Sequence, residues 1–133
     1  MKSYNDIITT LLPEFKDLTN LGKAKLSIAI VGFGKMGILH AGILNLLKSN
    51  TVRYVVDNSF LIVFGGSLLI KGIKFYRYLE YLLDYRSIDA VYVTTPTHTH
   101  YGIITRLLEA GVRNIFVEKP PTVTFEETRK LID

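Results

Sequence analysis

The stretch LSIAIVGFGKMGILHAGILNLL, residues 26–47, carries three signals in one line. Leu26 to Val31 is a short apolar run without alternation, the pattern of a strand buried on both faces of a parallel sheet. Gly32, Gly34 and Gly37 follow at once. Over residues 36–48 the apolar side chains Met36, Leu39, Ile43, Leu46 and Leu47 then recur at helical spacing. A strand, a glycine turn and a helix in immediate succession open a βαβ unit. In that setting Gly32 permits the tight turn, Gly34 lets a pyrophosphate approach the backbone, and Gly37 lets the helix pack closely on the strand. The N–H groups that begin the helix face the phosphates with the positive end of its dipole. Phe33, Lys35 and Met36 belong to the same turn and join the three glycines as expected cofactor contacts.

Reading outward, the next strand, TVRYVVD, ends at Asp57, twenty residues past Gly37. A carboxylate there accepts both ribose hydroxyls of an adenosine and repels a 2′-phosphate, which favours NAD over NADP. The competing reading is a loop cap, for which Asp57-Asn58-Ser59 is well suited. A third strand, IKFY, precedes a helix over RYLEYLLDYR, residues 77–86. The fourth strand, DAVYVTT, runs into Pro96, and a helix from Thr99 to Ala110 stops at Gly111. The fifth strand is RNIFVE, and TFEE, with Thr124 and Glu127, is a capping box that starts the last helix. Strands and helices alternate throughout. The fold class is therefore α/β, a Rossmann-type doubly wound parallel sheet, and right-handed crossovers give the order 3-2-1-4-5.

Two segments stand apart. Residues 1–25 are expected to be a helical extension, with a helix over 4–18 that carries Ile7, Ile8, Leu11, Leu12, Phe15 and Leu18 on one side and that Pro13 interrupts. The dinucleotide-binding domain is expected over 26–133. The second segment, FLIVFGGSLLIK, residues 60–71, fills the place of a crossover helix. Two glycines inside a helix cost roughly 2 kcal/mol together, and apolar runs on both sides of Gly65-Gly66 also read as a hairpin. The helix is preferred. Such an apolar crossover is either deeply buried or a contact to a partner.

Composition narrows the rest. Of 133 residues 48% are hydrophobic and 21% charged, a globular mixture with room for one domain. The net charge of +4 is dispersed, without the basic stripe and interleaved aromatics that nucleic acid would require. The absence of cysteine removes disulfides, thiol nucleophiles and cysteine metal sites. No apolar run reaches the roughly 18 residues of a spanning helix, and the N-terminus lacks a signal-peptide pattern, so a cytoplasmic protein without membrane or nucleic-acid partners is expected. The histidines do not form a metal site.

Three stretches, GFGKMGILH at 32–40, IDAVYVTTPTHTHYG at 88–102 and AGVRNIFVEKP at 110–120, appear in that order. Together they resemble the N-terminal dinucleotide-binding domain of the glucose–fructose oxidoreductase and inositol dehydrogenase family. The resemblance covers about residues 26 to 133. It implies that Thr95 and Pro96 run beside the cofactor, that His100 closes the same motif, and that Glu118 sits near the nicotinamide ribose. It further implies that Lys119 is catalytic, reaching the substrate oxygen to assist proton transfer, and that a cis peptide precedes Pro120 or Pro121. Position alone supports Lys119, because a residue at the C-terminal end of a parallel strand points into the ligand crevice. His40 reads as a packed residue and His98 as a solvated one. Members of the family continue into a second domain that shapes the substrate pocket. The expected function is thus the NAD(P)-binding domain of an oxidoreductase acting on a sugar, polyol or related hydroxyl compound, with catalysis needing a second domain or partner. The alternative is a stand-alone NAD-binding or sensing module. A homodimer or a separate substrate-domain partner would attach through the open edge at strand five or through residues 60–71.

Overall fold

The computed structural model describes residues 26–47, 50–84 and 87–132. The helix expected over residues 4–18 lies outside the described residues. Five strands form one parallel sheet: β1 (Leu26–Val31), β2 (Asn50–Val56), β3 (Lys74–Tyr76), β4 (Ala90–Val93) and β5 (Ile115–Val117). Their order is β3-β2-β1-β4-β5, as the alternation required. The chain therefore reverses its direction of travel between β1 and β4, the switch point at which such sheets bind ligands.

Side chains of β1 alternate between two cores. Ile28 and Ile30 enter one face with Ala41 and Leu44 of α1 (Lys35–Leu46). Ala29 and Val31 enter the other with Leu82 of α3 (Glu80–Leu83) and Leu107 of α4 (His100–Glu109). Helices thus cover both faces, and β1 is buried from Ile28 to Val31 because neither face meets water. The pairing of β1 with β2 slips one residue between Ile28 and Ala29, so that Arg53 is left over as a bulge. The last helix, α5 (Phe125–Ile132), packs beside α4. Its capping box closes as expected: the Glu127 amide donates to Thr124 Oγ1 at 3.2 Å, and the Thr124 amide donates to Glu127 Oε2 at 3.2 Å.

The apolar crossover is a helix, α2 (Phe60–Leu69), with Ser59 as its N-cap. Of the two readings of this segment, deep burial is overturned, since no α2 residue is buried. The helix touches the sheet through Ile62 and Val63, leaving Leu61 79% and Phe64 59% exposed. The helix expected over 77–86 is also corrected. Among the described residues 77–84 only 80–83 are helical, and Arg77, ahead of them, donates its side chain to the Asn58 carbonyl at 3.2 Å. Among the described residues no helix is long and apolar enough to cross a membrane, and no group of three or more potential ligands could hold a metal ion.

Candidate dinucleotide-binding site

The glycine turn lies over the C-terminal ends of β1 and β4. Gly32 has φ of +94°, a conformation that side chains disfavour, and a Cβ there would stand 2.7 Å from the Thr95 nitrogen. A Cβ on Gly37 would overlap the Gly32 carbonyl oxygen. At Gly34 nothing lies within 4 Å of that position, so the backbone is open on the cleft side. Gly34 is the N-cap of α1, whose first turn holds neither a side-chain cap nor an acid. The first amides of α1 are therefore left for an outside acceptor, and the positive end of the helix dipole is not neutralised. Thr94 fixes this arrangement by donating from Oγ1 to the Gly32 carbonyl at 2.6 Å.

Asp57 follows the end of β2 and uses both carboxylate oxygens. Oδ2 accepts the Phe33 amide at 2.7 Å, and Oδ1 accepts the Ser59 amide at 2.8 Å. The loop-cap reading of Asp57 is thus realised, and the same carboxylate also ties the glycine turn to the start of α2. Each carboxylate oxygen has a second acceptor site, so capacity remains for hydroxyl donors.

A cleft of about 670 Å³ runs along this edge. It brings together Gly32, Gly34, Lys35, Met36, Asp57, Thr95 and Pro96 from the sequence-derived set. The fit to a dinucleotide is good: an open backbone for pyrophosphate, uncapped helix amides, and a carboxylate at one end. Other expected residues are placed elsewhere. The Phe33 side chain turns into the core and meets Phe75 edge-on at 5.4 Å, so only its backbone serves the turn. Gly37 is buried beneath the loop. His100 is 1% exposed; its Nδ1 lies 3.1 Å from the Pro120 carbonyl and its Nε2 2.7 Å from the Thr95 carbonyl. It pins the Thr95-Pro96 turn to the Pro120 turn from behind, outside the cleft wall. Glu118 and the exposed Lys119 also lie outside that wall, at the end of β5. The Lys119–Pro120 peptide is cis, as expected for one of the two prolines.

Several residues of the cleft were not assigned to the cofactor by the sequence reading, which took His98 as solvated and Asn58 as part of a loop cap. Asn58, Arg77, His98, Thr99 and Arg106 line it as well. Arg77 lies 5.5 Å over the Tyr78 ring, and Arg106 pairs with Glu80 across the rim. The Glu80 carboxyl is held below the ordinary glutamate range by its own backbone amide and then by the Arg106 guanidinium. Arg77 had one local signal, its position directly after strand three. The His40–Glu118 pair had none: His40 Nε2 lies 2.8 Å from Glu118 Oε1 although 78 residues separate them. Hydrogen bonding to His40, then to the Lys119 amide, holds the Glu118 carboxyl below the ordinary glutamate range.

A parallel sheet of this order with a glycine turn and an acid at the end of its second strand defines a dinucleotide-binding α/β protein. More narrowly, the chain belongs to the glucose–fructose oxidoreductase, inositol dehydrogenase and MocA family, described as an oxidoreductase family with an NAD-binding Rossmann fold, whose family model matches residues 26–133. The chain is 34% identical over 110 residues to scyllo-inositol 2-dehydrogenase (NAD(+)) of Bacillus subtilis (strain 168), covering 76% of this chain and 30% of that protein. It is 31% identical over 109 residues to the rhizopine catabolism protein MocA of Rhizobium meliloti, covering 80% of this chain and 32% of the relative. The chain thus spans about a third of the length of these curated relatives. Among solved structures, GenD2 from gentamicin A biosynthesis, in complex with NAD, superposes with a TM-score of 0.74 at 31% identity, over 81% of this chain and 30% of that one. An NAD-binding protein from Listeria innocua does so with a TM-score of 0.73 at 31% identity, over 82% of this chain and 32% of that one.

Proposed function

We propose that this chain is the cofactor-binding part of a cytoplasmic, NAD-dependent dehydrogenase that acts on a sugar, polyol or related hydroxyl compound. The observation that carries the reading is the Asp57 carboxylate fastened to the Phe33 amide beside the open backbone of Gly34. An acid at that place favours two free ribose hydroxyls and disfavours a 2′-phosphate, hence NAD over NADP. The NAD named for the Bacillus relative and held by GenD2 supports the same choice. In this reading bound NAD supplies the hydride acceptor. The chain's own residues anchor the pyrophosphate at 32–37 and the adenosine at Asp57, while Thr95, Pro96 and Glu118 shape the other side and the buried His100 holds the Thr95-Pro96 turn from behind. Lys119 holds or moves a proton at its Nζ. Closure over the substrate falls to parts beyond this fold, a second domain or a partner chain.

Fluorescence titration with NADH, and NADPH in parallel, tests the reading. Saturable NADH binding that Asp57→Ala abolishes supports it; equal affinity for both cofactors removes the NAD preference, and no binding up to millimolar cofactor overturns it. A second reading, a module that binds NAD without turning it over, is favoured by the exposed apolar face of α2 and by β5 as a sheet edge. NADH formation from a polyol series, assayed with the second domain of a family member added as a separate chain, separates the two. Turnover lost in Lys119→Ala supports the dehydrogenase, and binding without turnover leaves the module as what this chain does.

A further inference from the structure

We infer that His40 is a positioning residue for the nicotinamide half of the cofactor, acting through Glu118. The inference rests on the reading that a dinucleotide occupies the cleft. His40 lies on α1, the helix that the glycine turn opens, yet its partner stands at the end of β5. Between β1 and β5 lies β4. The 2.8 Å bond from Nε2 to Glu118 Oε1 therefore spans the switch point itself, where a dinucleotide must cross from one half of the sheet to the other. Asp57 marks the half over β2; Glu118 marks the half over β4 and β5.

The surroundings make the pair rigid. His40 meets Phe116 edge-on at 5.2 Å and Tyr92 at 5.6 Å, and those two rings stack on each other at 4.7 Å. The side chains of His40 and Glu118 are 19% and 20% exposed, neither buried nor free to swing in solvent. The Glu118 amide donates to the Val93 carbonyl at 2.9 Å, so its backbone is fixed as an extension of the β4–β5 ladder. A carboxylate offers about four acceptor sites. His40 takes one and the Lys119 amide another. Among the described residues no other donor reaches this carboxylate, so it keeps acceptor capacity at the end of β5, beyond the cleft wall, for the diol of a second ribose. Packing alone would be served as well by a leucine between Tyr92 and Phe116. The use of a ring nitrogen there is explained by the carboxylate it holds.

The test compares NADH with ADP, which has the adenosine and pyrophosphate but no second ribose. The chain carries His40→Leu, or His40→Gln, which keeps an N–H donor. We expect His40→Leu to weaken NADH by about tenfold, the scale of one hydrogen bond, to leave ADP within about twofold, and His40→Gln to recover most of the loss. Thermal melts confirm that both variants fold. Unchanged NADH affinity in His40→Leu overturns the inference, as does parallel loss of ADP or a His40→Gln no better than His40→Leu. Parent chain that binds NADH no tighter than ADP also overturns it, while leaving the cofactor reading intact. Parent chain that binds neither ligand overturns the cofactor reading, and this inference falls with it.

Discussion

Gly34 and Gly37 stand three residues apart and answer to different demands. A methyl group at Gly37 collides with the backbone of Gly32, whereas one at Gly34 meets nothing in the protein. Gly37→Ala should therefore destabilise the fold by about 2 kcal/mol, an overpacking cost, read as a shifted urea midpoint. Gly34→Ala should leave that midpoint nearly unchanged and instead remove NADH binding, because its methyl group fills the approach reserved for phosphate. Such positions were legible in the sequence because the demand is local: a strand, a tight turn and a helix in a row need no distant partner to specify them. Asp57 was legible for the same reason, at a fixed spacing from the turn. The partners of His40 and His100 were not, because only the sheet order and the turn at Pro120 bring them near. Glu118 gives the residue scale its pH test. Its folded carboxyl titrates below the ordinary range, so the unfolded chain binds the proton more readily. The stabilisation is complete above the ordinary glutamate value of about 4.3 and is lost as pH falls through the lower, folded value. Glu118→Gln should thus reduce stability at pH 6 and make progressively less difference towards pH 3, measured as paired urea midpoints.

Among the elements, α2 shows how a sequence rule and a packing rule divide. Two glycines argued against a helix by propensity, yet residues 60–69 are helical. Gly66 backs directly onto the Phe75 ring, where a Cβ would overlap it, so this glycine is what lets the helix lie close to β3. Gly65, its neighbour, has open space around it. Gly65→Ala should accordingly stabilise the chain by about 0.5–1 kcal/mol, the helix propensity gain. Gly66→Ala should destabilise it, because Phe75 is buried and held edge-on by Phe33 and cannot yield. Thermal melts of the two variants, moving in opposite directions, check the assignment; movement in the same direction would mean that α2 does not sit on Phe75. The capping box of α5 was readable because a cap involves residues three apart. The late start of α3 was not, since the Arg77 ahead of it faces the cleft and meets Asn58, nineteen residues earlier.

For the whole molecule, the order of strands followed from alternation and handedness, but what the surface leaves open did not. Phe60, Leu61, Phe64, Leu68 and Leu69 are all more than half exposed on one ten-residue helix that carries no charge. Phe60 and Phe64 stack at 5.7 Å, one turn apart. At about 150–200 Å² for a large apolar side chain, the five leave roughly 600 Å² in contact with water. That is somewhat less than the roughly 800 Å² per partner of a standard interface. A helix pairing with its own copy across a two-fold axis would cover this face twice over with a single contact type. A face smaller than a standard interface is expected to give a weak dimer that forms only as concentration rises. Sedimentation velocity across a concentration series should show it. The double substitution Leu61→Lys with Phe64→Lys should return the chain to a monomer, because two desolvated ammonium groups cannot be buried against their symmetry mates. NADH binding should persist in that variant, since Ile62 lines the cleft and neither substituted residue does. A parent chain that stays monomeric at about 100 µM would remove self-association from α2 and leave its apolar face to a different chain.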